Sequence, residues 1–326
     1  NPPTGDAYNG VANPSNVVKV PLFQQDNRGY STSIDILNTA ATPSNVTVTF
    51  NENGTDLAPR TFALPANGRF TVDKSNDGIT TRFVGSATIV AQQPIAVEVD
   101  QSNGAILLAD SGRGTGSPTL YAPLIMTNNN GWTTGLQVQN GGSESTTVSL
   151  FLNGGATPVA TSPLAPGQSV SWYPVPGTTV ISRFVGSAKV SSSNAQPLFG
   201  IVNELNGGAG QGMAYTPFGD GSRIVDMPLL MDDNSGYYTG EQIQNVGPVP
   251  ATVDFTVNGA LVDTRVILPG QSATWYKTKL LSGGVRVAAG SAIAREDTAR
   301  IVGIVNEVTA PQRTGDTSFV YEAFNR

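Results

Sequence analysis

The chain writes one unit three times, and this repeat limits its possible folds more than any single residue does. Three openings align without gaps: Val20-Pro21-Leu22-Phe23 ahead of Asp26-Asn27-Arg28-Gly29-Tyr30, Ala122-Pro123-Leu124-Ile125 ahead of Asn128-Asn129-Asn130-Gly131-Trp132, and Met227-Pro228-Leu229-Leu230 ahead of Asp233-Asn234-Ser235-Gly236-Tyr237. Mid-repeat, Leu164-Ala165-Pro166-Gly167-Gln168-Ser169 returns as Leu268-Pro269-Gly270-Gln271-Ser272, with a weaker echo at Leu64 to Gly68. Arg82 to Ala87 matches Arg183 to Ala188 residue for residue, Gly290-Ser291-Ala292 keeps its core, and Ile201-Val202-Asn203-Glu204 returns as Ile304-Val305-Asn306-Glu307. A spacing of about one hundred residues is a whole small domain and not a solenoid rung. The expected division is 17–117, 118–221 and 222–326, with 1–16 ahead of the first repeat.

Within a repeat the apolar pattern is that of short strands. Leu136 and Val138 alternate with Gln137 and Gln139, Val148, Leu150 and Leu152 continue the alternation, and Asn153-Gly154-Gly155 supplies the positive φ angles of a hairpin. Pro166-Gly167 makes the next turn, Val170 and Trp172 point inward, and a near-continuous apolar run covers Leu198 to Leu205. About seven or eight short strands per hundred residues, with no capped 3.6-residue period, predict an all-β chain of three tandem immunoglobulin-like β-sandwiches. At the position of Ile201 and Ile304 the first repeat has Glu98, which predicts a wet face there, because a charge is seldom buried without a partner.

Ahead of the first repeat, Gly5-Asp6-Ala7-Tyr8-Asn9-Gly10-Val11 copies the segment that ends a repeat. Aligning Pro21 with Pro228 places Ala7-Tyr8 on Ala214-Tyr215, and Phe319 to Phe324 is a third copy. Counting a weak version at Ile106 to Ala109 gives four junction strands for three repeat bodies. The extra strand is therefore read as an intersubunit strand with Ala7, Tyr8, Asn9 and Val11 as its anchors. A plainer reading makes it the first strand of the first domain and the C-terminal copy the surplus one.

Composition removes most chemistries. With no Cys and no His there is neither thiolate nor imidazole for zinc, haem, iron-sulfur or Ser-His-Asp sites. Charged residues are 13% and the net charge is −6, so the basic stripe that nucleic acid requires is missing. No apolar run approaches the roughly 18 residues of a membrane span. The start at Asn1 reads as a mature secreted product whose leader has been removed.

Candidate sites are few. The turns at Asp26-Asn27, Asn128 to Asn130 and Asp232 to Asn234 offer oxygen ligands for calcium, but the second copy has no carboxylate, and turn chemistry accounts for all three. Tyr30, Trp132 and Tyr237 are of the type that stacks on sugars, yet their recurrence in every repeat suits burial at a sandwich end. Glu98, Glu204, Glu307 and Asp254 give no acid-base pair, and a Lys19-to-Asn crosslink fails because Tyr121 and Asp226 hold the equivalent positions. No catalytic residue, cofactor site or metal site is expected. Asn45-Val46-Thr47 and Asn53-Gly54-Thr55 are glycosylation sequons beside the first hairpin.

As a set, Pro123 to Met126, Gly131 to Asn140, Leu164 to Tyr173, Phe184 to Ala188 and Ile201 to Glu204 resemble tandem immunoglobulin-like modules of bacterial cell-surface and secreted proteins, some of them subunits of glycosylated extracellular filaments. The resemblance implies a structural subunit, assembled head to tail with copies of itself by β-strand donation. A monomeric adhesin or carbohydrate-binding array, or a spacer from a larger secreted protein, are the alternatives. The first repeat departs most, lacking the Trp-Tyr strand and the Val-Asn-Glu signature.

Overall fold

A computed structural model describes the chain except for residues 1–3, 7–9, 179–181, 277–285, 310–312 and 314. Every regular element among the described residues is a strand, and every ladder is antiparallel. The first unit contains β1 (Ser15–Gln25), β2 (Ser31–Asn38), β3 (Ser44–Glu52), β4 (Thr55–Asp56), β5 (Arg60–Leu64), β6 (Arg69–Val72), β7 (Phe83–Ser102) and β8 (Leu107–Ser111). The second contains β9 (Thr119–Thr127), β10 (Thr133–Asn140), β11 (Thr146–Leu152), β12 (Ala160–Leu164), β13 (Ser169–Trp172), β14 (Phe184–Ser192), β15 (Leu198–Asn206) and β16 (Gln211–Tyr215). The third contains β17 (Ile224–Asn234), β18 (Tyr237–Asn245), β19 (Ala251–Val257), β20 (Ala260–Ile267), β21 (Ser272–Tyr276), β22 (Val287–Ala294), β23 (Ile301–Thr309), β24 (Phe319–Glu322) and β25 (Phe324–Asn325).

The second unit shows the plan. One sheet runs β13-β10-β15-β16 and the other β12-β11-β14-β9. The third unit repeats it as β21-β18-β23-β24 and β20-β19-β22-β17. In the first unit the counterparts of β14 and β15 are one strand, β7, whose first half pairs β1 and β3 and whose second half pairs β2 and β8. In the second and third units the second strand pairs the fifth and the third pairs the sixth, as in immunoglobulin sandwiches, whereas the seventh lies beside the second.

Alternation puts the core where it was expected. Val148 and Leu150 of β11, and Val253, Phe255 and Val257 of β19, point between the sheets with Trp172 and Trp275. The first core is built on Phe23, Phe50 and Phe83, whose ring centroids lie 4.5 to 6.2 Å apart. The run through β15 is buried on both faces. Leu198 and Val202 enter the unit's own core, while Ile201 packs against the preceding unit.

The Asn turns behave as turn chemistry requires. Asp26, Arg28, Asn128, Asn130, Asp233 and Ser235 take φ of 50 to 56°, each group ending on a glycine at 85 to 90°. A second asparagine was legible only as the last letter of a motif. Asn140, fully buried, donates from Nδ2 to the carbonyls of Glu144 (2.8 Å) and Leu164 (3.1 Å) and accepts from the Gly142 N–H (3.0 Å). Asn38 and Asn245 make the same three bonds in their units. Replacing Asn140 by Ala strands two carbonyls and an N–H, and is expected to cost about 3 kcal/mol. Urea unfolding followed by Trp172 fluorescence measures it, and a cost under about 1 kcal/mol would show water taking over these bonds.

Candidate assembly interface

The motifs that define the repeat meet each other across the joints between units. Ser86 Oγ, in the Phe-Val-Gly-Ser-Ala strand of the first unit, donates to the Gly167 carbonyl of the second at 2.6 Å. Ser187 does the same to Gly270 of the third, also at 2.6 Å. From the other side, Gln139 Nε2 reaches the Ala87 and Gly167 carbonyls (3.4 and 3.1 Å), and Gln244 Nε2 reaches those of Ala188 and Gly270 (both 3.2 Å). The turn glycine is needed for this approach. Gly270 has φ +76°, and a Cβ there would lie 2.6 Å from Gly154 Cα of the neighbouring unit.

The Val-Asn-Glu signature forms the second contact of each joint. Asn203 Nδ2 donates to Gln101 Oε1 at 2.9 Å, and Asn306 Nδ2 donates to Glu204 Oε2 at 2.7 Å. Each unit's asparagine thus reaches the residue one place further along in the preceding unit. Asn203 and Asn306 stand in the middle of apolar strands, and the bonds they make run between units. Apolar contact fills the rest: Leu22 and Tyr30 pack with Ile106, Leu108, Ile201 and Ala214, while Leu124, Met126 and Trp132 pack with Ile304 and Val320. Trp132 is therefore covered by the third unit, and Tyr30 is half-buried at the first joint.

Two carboxyls are fully buried, Glu204 in the joint and Glu241 in the third core. Glu204 is fully buried, and burial together with nearby Asp6 pushes it up to about 8 despite the Asn306 bond. Glu241 of β18 occupies the core position that Leu136 and Ile34 hold in the other units. Neither of its oxygens has a partner of normal geometry, and burial raises it to about 7 against weak help from the Thr239 hydroxyl and its own backbone.

The last strands of the units converge, and carboxylates cap their outward N–H groups. Asp316 accepts from Leu107 N (2.8 Å) and Gly212 N (3.3 Å), Asp6 from Ala109 N (2.8 Å), and Glu322 from Thr216 N (2.8 Å). Asp110 accepts from Thr216 Oγ1, which in turn receives Arg113. Side-chain acceptors of this kind close an edge to further pairing. Register refines the weak junction copy: Ala109 stands opposite Asp100 as Ala214 does opposite Asn203, so Asp110 takes the place of Tyr215 and Tyr321. Those two tyrosines latch the opening bulge of their units, donating to the Leu124 carbonyl (2.7 Å) and the Leu229 carbonyl (2.6 Å).

Of the proposed intersubunit residues, Ala7, Tyr8 and Asn9 lie outside the described residues, and Val11 is half-buried in no strand. Asn45, on β3, and Asn53, in the turn that follows at φ 52°, are both exposed. Lys19 Nζ donates to Thr88 Oγ1 at 3.1 Å. No cluster of metal-ligating side chains occurs among the described residues, and no helix is long and apolar enough to cross a membrane.

The two ends of the chain carry unmatched halves of the joint. On the first unit, the face that the preceding unit covers elsewhere presents Asp35, Leu37, Glu98 and Asp100 in place of Gln137, Gln139, Ile201 and Asn203. Leu37 is 41% exposed where Gln139 is 0%. Glu98 is half-buried, and burial with the Glu98 and Asp35 charges raises Asp100 to about 6. On the third unit, Ser291 Oγ turns to Asp226 of its own unit at 2.6 Å.

Compared with known proteins, the chain matches no family model and no curated sequence. Among solved structures it is similar to Thermotoga maritima 1070, at 16% identity and a TM-score of 0.27, over 31% of this chain and 95% of that one. It is also similar to the Anabaena sensory rhodopsin transducer, at 16% identity and a TM-score of 0.22, over 27% of this chain and 93% of that one. Scores this low carry no argument.

Proposed function

We propose that the protein is a structural subunit of an extracellular fibre, joined to copies of itself by donation of the segment bearing Ala7, Tyr8, Asn9 and Val11. The observation that carries this reading is β20. It is an eight-residue strand paired, among the described residues, with β19 alone, and Leu261, Val262 and Val266 on it are 59%, 38% and 64% exposed. Its counterparts, β5 and β12, are five residues each. A long, unpaired, apolar edge is a template for one more strand, with main chain pairing main chain and alternate side chains filling the surface beside it. The contact is heterologous, N-terminus of one copy to third unit of the next, and such a contact propagates as a filament when the rotation between copies closes no ring. Exposed Asn45 and Asn53, both on the first unit, are positions where covalent glycans would leave β20 free.

Deleting residues 1–12 is expected to abolish fibres in negative-stain images, and Val266→Lys, on an exposed side chain, to reduce their length several-fold. Fibres that persist without residues 1–12 would sink the reading.

A further inference from the structure

Both joints enclose the same cleft. Between the first and second units it has a volume of about 450 Å³, and between the second and third about 440 Å³. Such volumes lie within the range of roughly 300 to 1,000 Å³ that small-ligand sites occupy. Equivalent residues line the two. The first has Tyr30 facing Tyr173, with Gln137, Asn203, Arg28 and Arg82 around them. The second has Trp132 with Tyr276, and Gln242, Asn306 and Arg183 around them.

Three features of this lining point to a ligand. The first is an oriented acceptor without a donor. Asn203 and Asn306 are each only 8% exposed, and each is held by its Nδ2 bond to the preceding unit, which leaves Oδ1 buried and unpartnered at the same place in both clefts. The second is partly exposed aromatic surface. Tyr173 and Tyr276 are both 44% exposed, and the Arg28 guanidinium lies 5.4 Å from the Tyr173 ring centroid. The third is charge. In a chain of net charge −6, neither cleft is lined by a carboxylate, yet the first has two arginines and the second one. Arg82 and Arg183 are set by bonds to Asn27 (2.7 Å) and Asn129 (2.5 Å), and Arg keeps further N–H groups to offer.

An aromatic wall, a buried acceptor and an arginine suit a sugar ring that has an apolar face, a hydroxyl donor and an acidic group. We propose that the two clefts are equivalent binding sites for an acidic polysaccharide, each taking a hexuronate residue. Its hydroxyl donates to Asn203 or Asn306 Oδ1, its ring lies on Tyr173 or Tyr276, and its carboxylate meets Arg82 or Arg183. The first unit's uncovered face lacks the site, since Asp100 and Asp73 stand where Asn203 and Tyr173 stand in the second. This inference stands apart from fibre formation, because both clefts lie within one chain.

Isothermal titration of the full chain with tetragalacturonate, and with cellotetraose as a neutral probe, tests it. Tetragalacturonate should bind at two sites per chain, at least tenfold more tightly than cellotetraose, and more weakly as salt rises. Tyr173→Ala and Tyr276→Ala, each on a half-exposed ring, should each remove one site and leave the other unchanged. Asn203→Asp, which sets a carboxylate against the ligand, should weaken the first site at least tenfold. No binding, equal binding of the neutral probe, or two sites surviving Tyr173→Ala would each overturn the proposal.

Discussion

Replacing Glu241 by leucine is expected to stabilise the third unit by about 3 kcal/mol more at pH 8 than at pH 4. Glu241 is fully buried opposite Trp275, in a core where the other units place Leu136 and Ile34. Burial lifts it to about 7, above the ordinary 4.5. Below pH 4.5 the folded and unfolded chains both hold the proton, so its contribution is constant. Between 4.5 and 7 only the folded chain holds it, and stability falls as pH rises. Above 7 both forms are ionised and the loss is complete, at roughly 1.4 kcal/mol for each unit of the interval. Glu204, raised to about 8, extends the same decline in the wild type by another unit. Leucine also fills the site with apolar volume that the neighbouring repeats accept. Urea unfolding at pH 4 and pH 8, with hydrogen exchange of the β18 and β21 amides to localise the effect, provides the measurement. A wild-type chain equally stable at both values, or a leucine variant weaker than wild type at pH 8, would show that water or a rearranged partner solvates the carboxylate.

Whether a residue was legible in the sequence depended on which surface its side chain faces. Alternation in Val148 and Leu150 reports a core inside one unit, which a local pattern can show. Ser86, Ser187, Gln139 and Gln244 recur just as regularly, but their partners are a unit away, and sequence spacing does not separate a contact between repeats from one within them. The substitution of Glu98 for Ile201 and Ile304, and the missing Val-Asn-Glu signature beside it, were the visible signs that this face differs in the first unit. Glu241 could have been found from the repeat itself, because aligning Gly131 to Asn140 with Gly236 to Asn245 sets it on Leu136. Its burial is a property of the third core, and no neighbouring charge marks it in the chain. The clefts depend on how far two units stand apart, a distance that no residue type records.

Rewriting the uncovered face of the first unit to the residues of the second should give it a working joint. The change is Asp35→Gln, Leu37→Gln, Glu98→Ile and Asp100→Asn, made in a chain lacking residues 1–12 so that strand donation plays no part. At pH 7 this variant is expected to self-associate at least tenfold more tightly than its parent, about 1.4 kcal/mol, by sedimentation velocity. Inside the chain, the Gln137 and Gln139 amides hold carbonyls of the preceding unit at the first joint and Gln244 does so at the second, an isoleucine fills the apolar patch, and an asparagine donates to Gln101 or Glu204. The native face offers three carboxylates instead, and a second copy docked the same way would bring Glu307, itself raised by burial, against Asp100. Like charges brought together out of water oppose docking, and Leu37 has no donor for the Ala292 carbonyl. Because Asp100 titrates near 6, the parent should gain some association between pH 7 and 5, while the variant should change less. If variant and parent remain equally monomeric at both values, the obstacle lies on the third unit, where Ser291 is already bound to Asp226 and would have to let go before it could reach the turn at Asn67.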